Sequence, residues 1–174
     1  MTPAHSRSRA LEWGIKQSLV EYVIGMPDGS ANVSPPARLS REGFRFPAAE
    51  RRPELAPTSP DSPAGATTNI PAEALRFVGA VTLSAHGGML RLVFEDPWLV
   101  PGEESEESWR LTIADPYEPG SRITFATVAR LDLRADGSAT TSGTRLTAQG
   151  ADLFLSGPYS EGTELDDPVI CAYG

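Results

Sequence analysis

Hydrophobic positions recur along the chain in two different rhythms. In "LEWGIKQSLVEYVIGM", residues 11–26, Leu11, Ile15, Leu19, Val23 and Met26 return at steps of three or four. Such steps line one face of a helix, where each residue turns by about 100° from the last. Trp13, Val20 and Ile24 widen the stripe, so two covered faces are expected. Ser8 is placed to cap the start, Glu12 suits the first turn, and Gly25 followed by Pro27 ends the run. The spacing predicts a helix over 11–25, on which Ser18 and Tyr22, four apart, are neighbours.

After "MPDGS" the rhythm changes to alternation, the signature of half-buried strands. "ANVS" and "ARLSREGFRF" are short candidates. In "RFVGAVTLSA", Phe77, Gly79, Val81 and Leu83 face one way, and in "GMLRLVFE" Leu90, Leu92 and Phe94 do the same. "SWRLTIA" repeats the pattern with Trp109, Leu111 and Ile113. "RITFATVARLDLRA" is the longest strand, with Ile123, Phe125, Leu131 and Leu133 in phase. "LTAQGADLFLSG" reads as a short second helix capped by Thr147, and "PVICAY" as a terminal strand. Many short strands and two helices predict a mainly β, sandwich-like architecture with an N-terminal helix and a short C-terminal one.

Between these elements, residues 47–73 have no periodicity and carry six of the sixteen prolines. They read as a surface loop inserted into the domain, at least partly mobile. The acidic run "EESEE" at 103–107 reads as a solvated loop tip. Residues 1–9 are polar and expected to be disordered, which leaves 10–174 as a single domain, the default for 174 residues.

Composition removes several classes of function. The formal charge is −8, which argues against nucleic acid, because phosphates need a positive face. Cys171 is the only cysteine, so no disulfide forms within the chain, and its place in a strand suits a small core residue. Two histidines and one cysteine make a zinc site improbable. No stretch approaches the ~20 apolar residues of a membrane span. The start lacks an apolar signal region, so the chain as written is expected in the cytoplasm, or in the cell envelope or medium if the N-terminus is trimmed. Neither a phosphate-cradling glycine motif nor a nucleophile elbow appears, and adjacent carboxylates such as Asp166 and Asp167 are usually solvated, so an enzyme is not expected.

Tyr22, Ser18, His86 and Tyr159 remain. Taken alone, each has an ordinary reading: a helical tyrosine is usually a core residue with a bonded hydroxyl, and a histidine beside two glycines usually serves a turn.

The order of motifs adds to this. "LEWGIKQSLVEYV", "FVGAVTLSAHGGML", "EDPWL", "FATVARLDL" and "LTAQGADLFLSGPYSEGTELDDPV" follow one another as in the HtaA domain family, the haem-transport-associated domains of actinobacterial haem uptake, and the chain resembles that family from Leu11 to Val169. The resemblance implies a β-rich sandwich with a helix towards each end. It implies ferric haem b as the bound group, iron ligation by Tyr22, a hydrogen bond to that tyrosine from His86, and supporting contacts from Tyr159 and Ser18. A phenolate is a hard anionic ligand that favours ferric iron, and an N–H donated to its oxygen orients it and tunes its basicity. Gly87 and Gly88 would leave room for the flat porphyrin. The glycine that precedes the family's histidine is Ala85 here, and Gly87 follows where an aspartate is common, so the Ala85 methyl is expected to add bulk at the haem edge. The implied partners are haem and other haem carriers, with no catalytic turnover. The alternative reading is a β-sandwich interaction protein that keeps the fold and binds no haem.

Overall fold

The computed structural model describes residues 8–49, 74–154 and 159–173. Residues Ser8–Trp13, expected to open the first helix, form a strand, β1, and the helix α1 is confined to Gln17–Gly25. Ser8 and Arg9 therefore pair with Tyr173 and Ala172 in the sheet. Leu11, Ile15, Leu19 and Val23 are all buried as the four-residue step required, but by two geometries. Leu11 and Trp13 are buried on alternate strand positions. Gly14 and Ile15, the latter at φ 62°, break the strand, and only then does the 3.6-residue period begin. One face of α1 is covered, by Leu19 and Val23, while Ile24 stays exposed.

The remaining elements are β2 (Ser30–Ser34), β3 (Arg38–Ser40), β4 (Gly43–Pro47), β5 (Leu75–Arg76), β6 (Ala80–Ala85), β7 (Leu90–Glu95), β8 (Trp98–Pro101), β9 (Trp109–Ala114), β10 (Arg122–Leu133), β11 (Ala139–Leu146), the helix α2 (Ala148–Asp152) and β12 (Val169–Tyr173). Among the described residues they make two sheets, β3-β4-β1-β12-β11-β10-β9-β8-β5 and β2-β6-β7, with antiparallel pairing throughout. The mainly β class with two helices is thus the one the pattern predicted. The end of β4 also reaches the far edge of the larger sheet. Ala48 bridges Phe77, Ala49 N–H donates to the Arg76 carbonyl and Val78 N–H to that of Pro47, so the sheet curls round on itself. Residues 50–73 of the Pro-rich segment lie outside the described residues.

The two sheets meet through aromatic rings. Trp13 of β1, Phe125 of β10 and Phe94 of β7 stand edge to face with centroids 5.2 to 5.9 Å apart, an arrangement that adds to their area burial. Phe77, Val81 and Leu83 are buried on the phase expected of them. β10 departs from its expected phase. A register shift between Thr124 and Ala126 buries Phe125 and Ala126 in succession, moves the inward set on to Val128 and leaves Leu133 exposed. An extra residue in one strand turns every later side chain to the other face. α2 begins where Thr147 caps it, its hydroxyl accepting from Gly150 N–H. It is shorter than the sequence suggested, and residues 155–158 lie outside the described residues. The acidic run at 103–107 is exposed.

Candidate functional site

The smaller sheet builds the site. α1 packs against β2 and β6, and a tight turn over Met26–Gly29 leads from its end into β2. Gly29 is required there, because a Cβ would fall 1.5 Å from the Val23 carbonyl oxygen. β2 then pairs antiparallel with β6, with Ser30 opposite Ser84. Continuing that register outward brings position 28 level with position 86. Ala85 pairs with Leu90 across the β6–β7 hairpin, so residues 86–89 form its tip. Helix, turn and hairpin tip therefore converge at one end of the sheet.

At that end the Tyr22 hydroxyl and His86 Nε2 lie 2.9 Å apart, a hydrogen bond whose donor depends on the imidazole tautomer. The two rings are tilted by 45° with centroids 6.0 Å apart. Tyr22 is 51% exposed, so its hydroxyl is not the tip of a core residue. The hairpin tip is strained in a specific way. His86, Gly87 and Gly88 take φ values of 55°, 65° and 88°, three left-handed residues in a row. For His86 that conformation costs about 1–2 kcal/mol; the two glycines adopt it freely. A Cβ at Gly87 or Gly88 would meet nothing within 4 Å, so the space above the tip is open. Met89, next along, is 83% exposed.

Sequence reasoning missed Asp28. Its carboxylate accepts from the backbone N–H of His86, at 3.3 Å, and of Gly87. Those bonds, the Gly87 one foremost, hold the Asp28 pKa below its ordinary value against a smaller opposing effect of desolvation. "MPDGS" gives Asp28 away only as a turn residue. The link to His86 needs the β2–β6 register, which no local motif reports.

The other two residues of the sequence prediction stand apart from the pair. Ser18 is exposed on α1, one turn before Tyr22, with no side-chain partner among the described residues. Tyr159 packs on Phe154, with ring centroids 4.9 Å apart, and under the Lys16 ammonium at 5.9 Å. It makes neither a hydrogen bond nor a ring contact with Tyr22 or His86 among the described residues. The Ala85 methyl, expected at the haem edge, faces the core instead at 1% exposure, because strand alternation turns it away from His86. The start of α1 is held from the far end of the chain. Asp166 accepts from Gln17 N–H through its carboxylate and from Trp13 Nε1 through its carbonyl, and its own N–H donates to the Ile15 carbonyl. Lys16 Nζ donates to the Glu164 carbonyl. Among the described residues no cluster of three or more His, Cys, Asp or Glu side chains could hold a bare metal ion, and no helix is long and apolar enough to cross a membrane.

The model of the HtaA family matches residues 8–170. The N-terminal domain of HtaA from Corynebacterium glutamicum is similar at a TM-score of 0.63 and 20% identity, over 96% of this chain and 97% of that one. The C-terminal domain of the same protein is similar at a TM-score of 0.60 and 20% identity, over 95% of each chain. At that identity the two structures establish the shared fold. No curated protein matches the chain.

Proposed function

The chain belongs to the HtaA family, which is associated with haem uptake, and from that premise we propose that it binds ferric haem b through Tyr22 and carries it without chemical turnover. The observation that carries the reading is the 2.9 Å contact between the Tyr22 hydroxyl and His86 Nε2 on an exposed surface. The donor set fits the group: a phenolate oxygen is a hard anionic ligand suited to ferric iron. Bound haem would supply a ferric centre, which the Tyr22 oxygen would hold.

The residues divide the work. A free tyrosine keeps its proton to about pH 10, so ligation must remove it. His86 Nε2 is positioned to take that proton and then to donate an N–H back to the phenolate, which fixes its orientation. Gly87 and Gly88 leave open space beside the pair for a flat ring. Met89 and the Tyr22 ring offer exposed apolar surface that a porphyrin would cover. Ser18, exposed a turn before Tyr22, would meet a propionate, and Tyr159, beside Lys16 at the N-terminal end of α1, would add a supporting contact from there. A single ligand on an exposed helix favours exchange with other haem carriers over permanent retention.

The test is transfer. Purified protein is titrated with ferric haem and then mixed with excess apo-globin while both spectra are followed. The reading expects one haem per chain, then delivery of unaltered porphyrin to the globin. Absence of stoichiometric binding, or ring-cleavage products, contradicts it.

A further inference from the structure

We propose that Asp28 is a positioning residue, whose carboxylate clamps the hairpin tip so that His86 is aimed at Tyr22 before haem arrives; the functional half of this inference rests on the haem reading above. Tyr22 and His86 belong to different elements, α1 and the β6–β7 tip. The turn after α1 carries Asp28, and the carboxylate reaches across to the tip, so one side chain ties the two elements together. The tip needs such a tie. Three successive left-handed residues, two of them glycine, have many alternative conformations of similar energy. In the observed one, the N–H groups of His86 and Gly87 point to the same side and form a concave anion site. The Asp28 carboxylate fills that site from within the chain, with both oxygens used. Charge-assisted bonds of this kind are stronger than neutral ones. The depressed Asp28 pKa agrees with bonds that favour the ionised form. Asp28 itself is exposed and contributes nothing to the core, so its role is orientation of the tip.

Two measurements on Asp28→Ala and Asp28→Asn test this. In the haem-free protein, amide hydrogen exchange at His86 and Gly87 is read by NMR. Exchange is expected to quicken about tenfold or more in Asp28→Ala, with Asp28→Asn in between because it keeps one acceptor without the charge, and with the melting temperature essentially unchanged. In the loaded protein, haem release to apo-globin is expected to quicken by ~10–100-fold, the usual effect of losing a residue that orients a ligand. The same substitution made in a His86→Ala background is expected to add nothing, since Asp28 acts through His86. Unchanged exchange at both amides overturns the clamp. Faster release in the His86→Ala background as well overturns the positioning role. If the unaltered protein takes up no haem, the haem reading fails while the exchange measurement still decides the clamp.

Discussion

The Tyr22 hydroxyl and His86 Nε2 meet at 2.9 Å although 64 positions separate them in the chain. Backbone pairing, more than any attraction between the side chains, brings them there. α1 hands the chain through a tight turn to β2, β2 pairs with β6, and β6 ends in the tip that carries His86. The contact therefore depends on how α1 begins, how the core fixes the sheets and how the tip is held.

The start of α1 depends on Asp166, since Lys16 makes no side-chain cap of its own. Asp166→Ala is expected to lower stability by about 0.5–2 kcal/mol, the cost of losing a helix cap, and to speed amide exchange at Gln17. Denaturant unfolding and hydrogen exchange measure the two effects. Unchanged exchange at Gln17 would show that the helix start is held by other contacts.

The core depends on Trp13, where β1 meets Phe94 of one sheet and Phe125 of the other. Trp13→Ala is expected to cost ~3–5 kcal/mol in denaturant unfolding, as for other buried aromatic residues cut to alanine. A loss below about 1 kcal/mol, well under that range, would contradict the packing described.

Thr147 caps α2 through its side-chain hydroxyl, which accepts from Gly150 N–H. Thr147→Ala is expected to cost about 1 kcal/mol. Thr147→Ser, which keeps that hydroxyl, is expected to recover most of it. Denaturant unfolding of the two variants compares them. Equal losses would assign the effect to the methyl group instead.

At the last residue of β12, burial and the neighbouring Cys171 push the Tyr173 pKa up to about 12, against the pull of the Arg45 guanidinium. A raised folded pKa means that this contribution to stability is present below pH 10, the unfolded value, and is lost as the pH climbs from about 10 to about 12. The stability of the native chain relative to Tyr173→Phe is therefore expected to decline over that window. Parallel curves for the two proteins from pH 9 to pH 12 would contradict the shift.

Much of the fold is legible in the residues. Alternation locates β7 and β9 to within a residue or two, because each keeps one face in the core, whereas the run that begins at Arg76 becomes strand β6 only from Ala80. The helix expected at 11–25 is half right for a physical reason. A four-residue step in burial is satisfied equally by a strand that buries Leu11 and Trp13 and then breaks at Gly14 and Ile15. The threonine cap of α2 is plain in "LTAQGADLF", since a hydroxyl just before a helical run is a local signal. The bulge in β10 is invisible, since nothing in "RITFATVARL" marks the extra residue. At the site, Tyr22 and His86 are legible through motif order, and the structure brings them together. Asp28 is not, because its partners are backbone amides whose position depends on strand register rather than on any local pattern.

The most direct measurement of the central claim is a ferric haem titration, followed by visible absorbance, of the native protein beside Tyr22→Phe and His86→Ala. Tyr22→Phe keeps the ring and removes only the ligand oxygen; His86→Ala leaves that oxygen and removes its hydrogen-bond partner. The account predicts one haem bound per native chain and loss of stoichiometric binding in Tyr22→Phe. It predicts retained but weaker binding, by about 10–100-fold, with an altered spectrum in His86→Ala. Binding that survives in Tyr22→Phe and disappears in His86→Ala would contradict it and make the histidine the iron ligand.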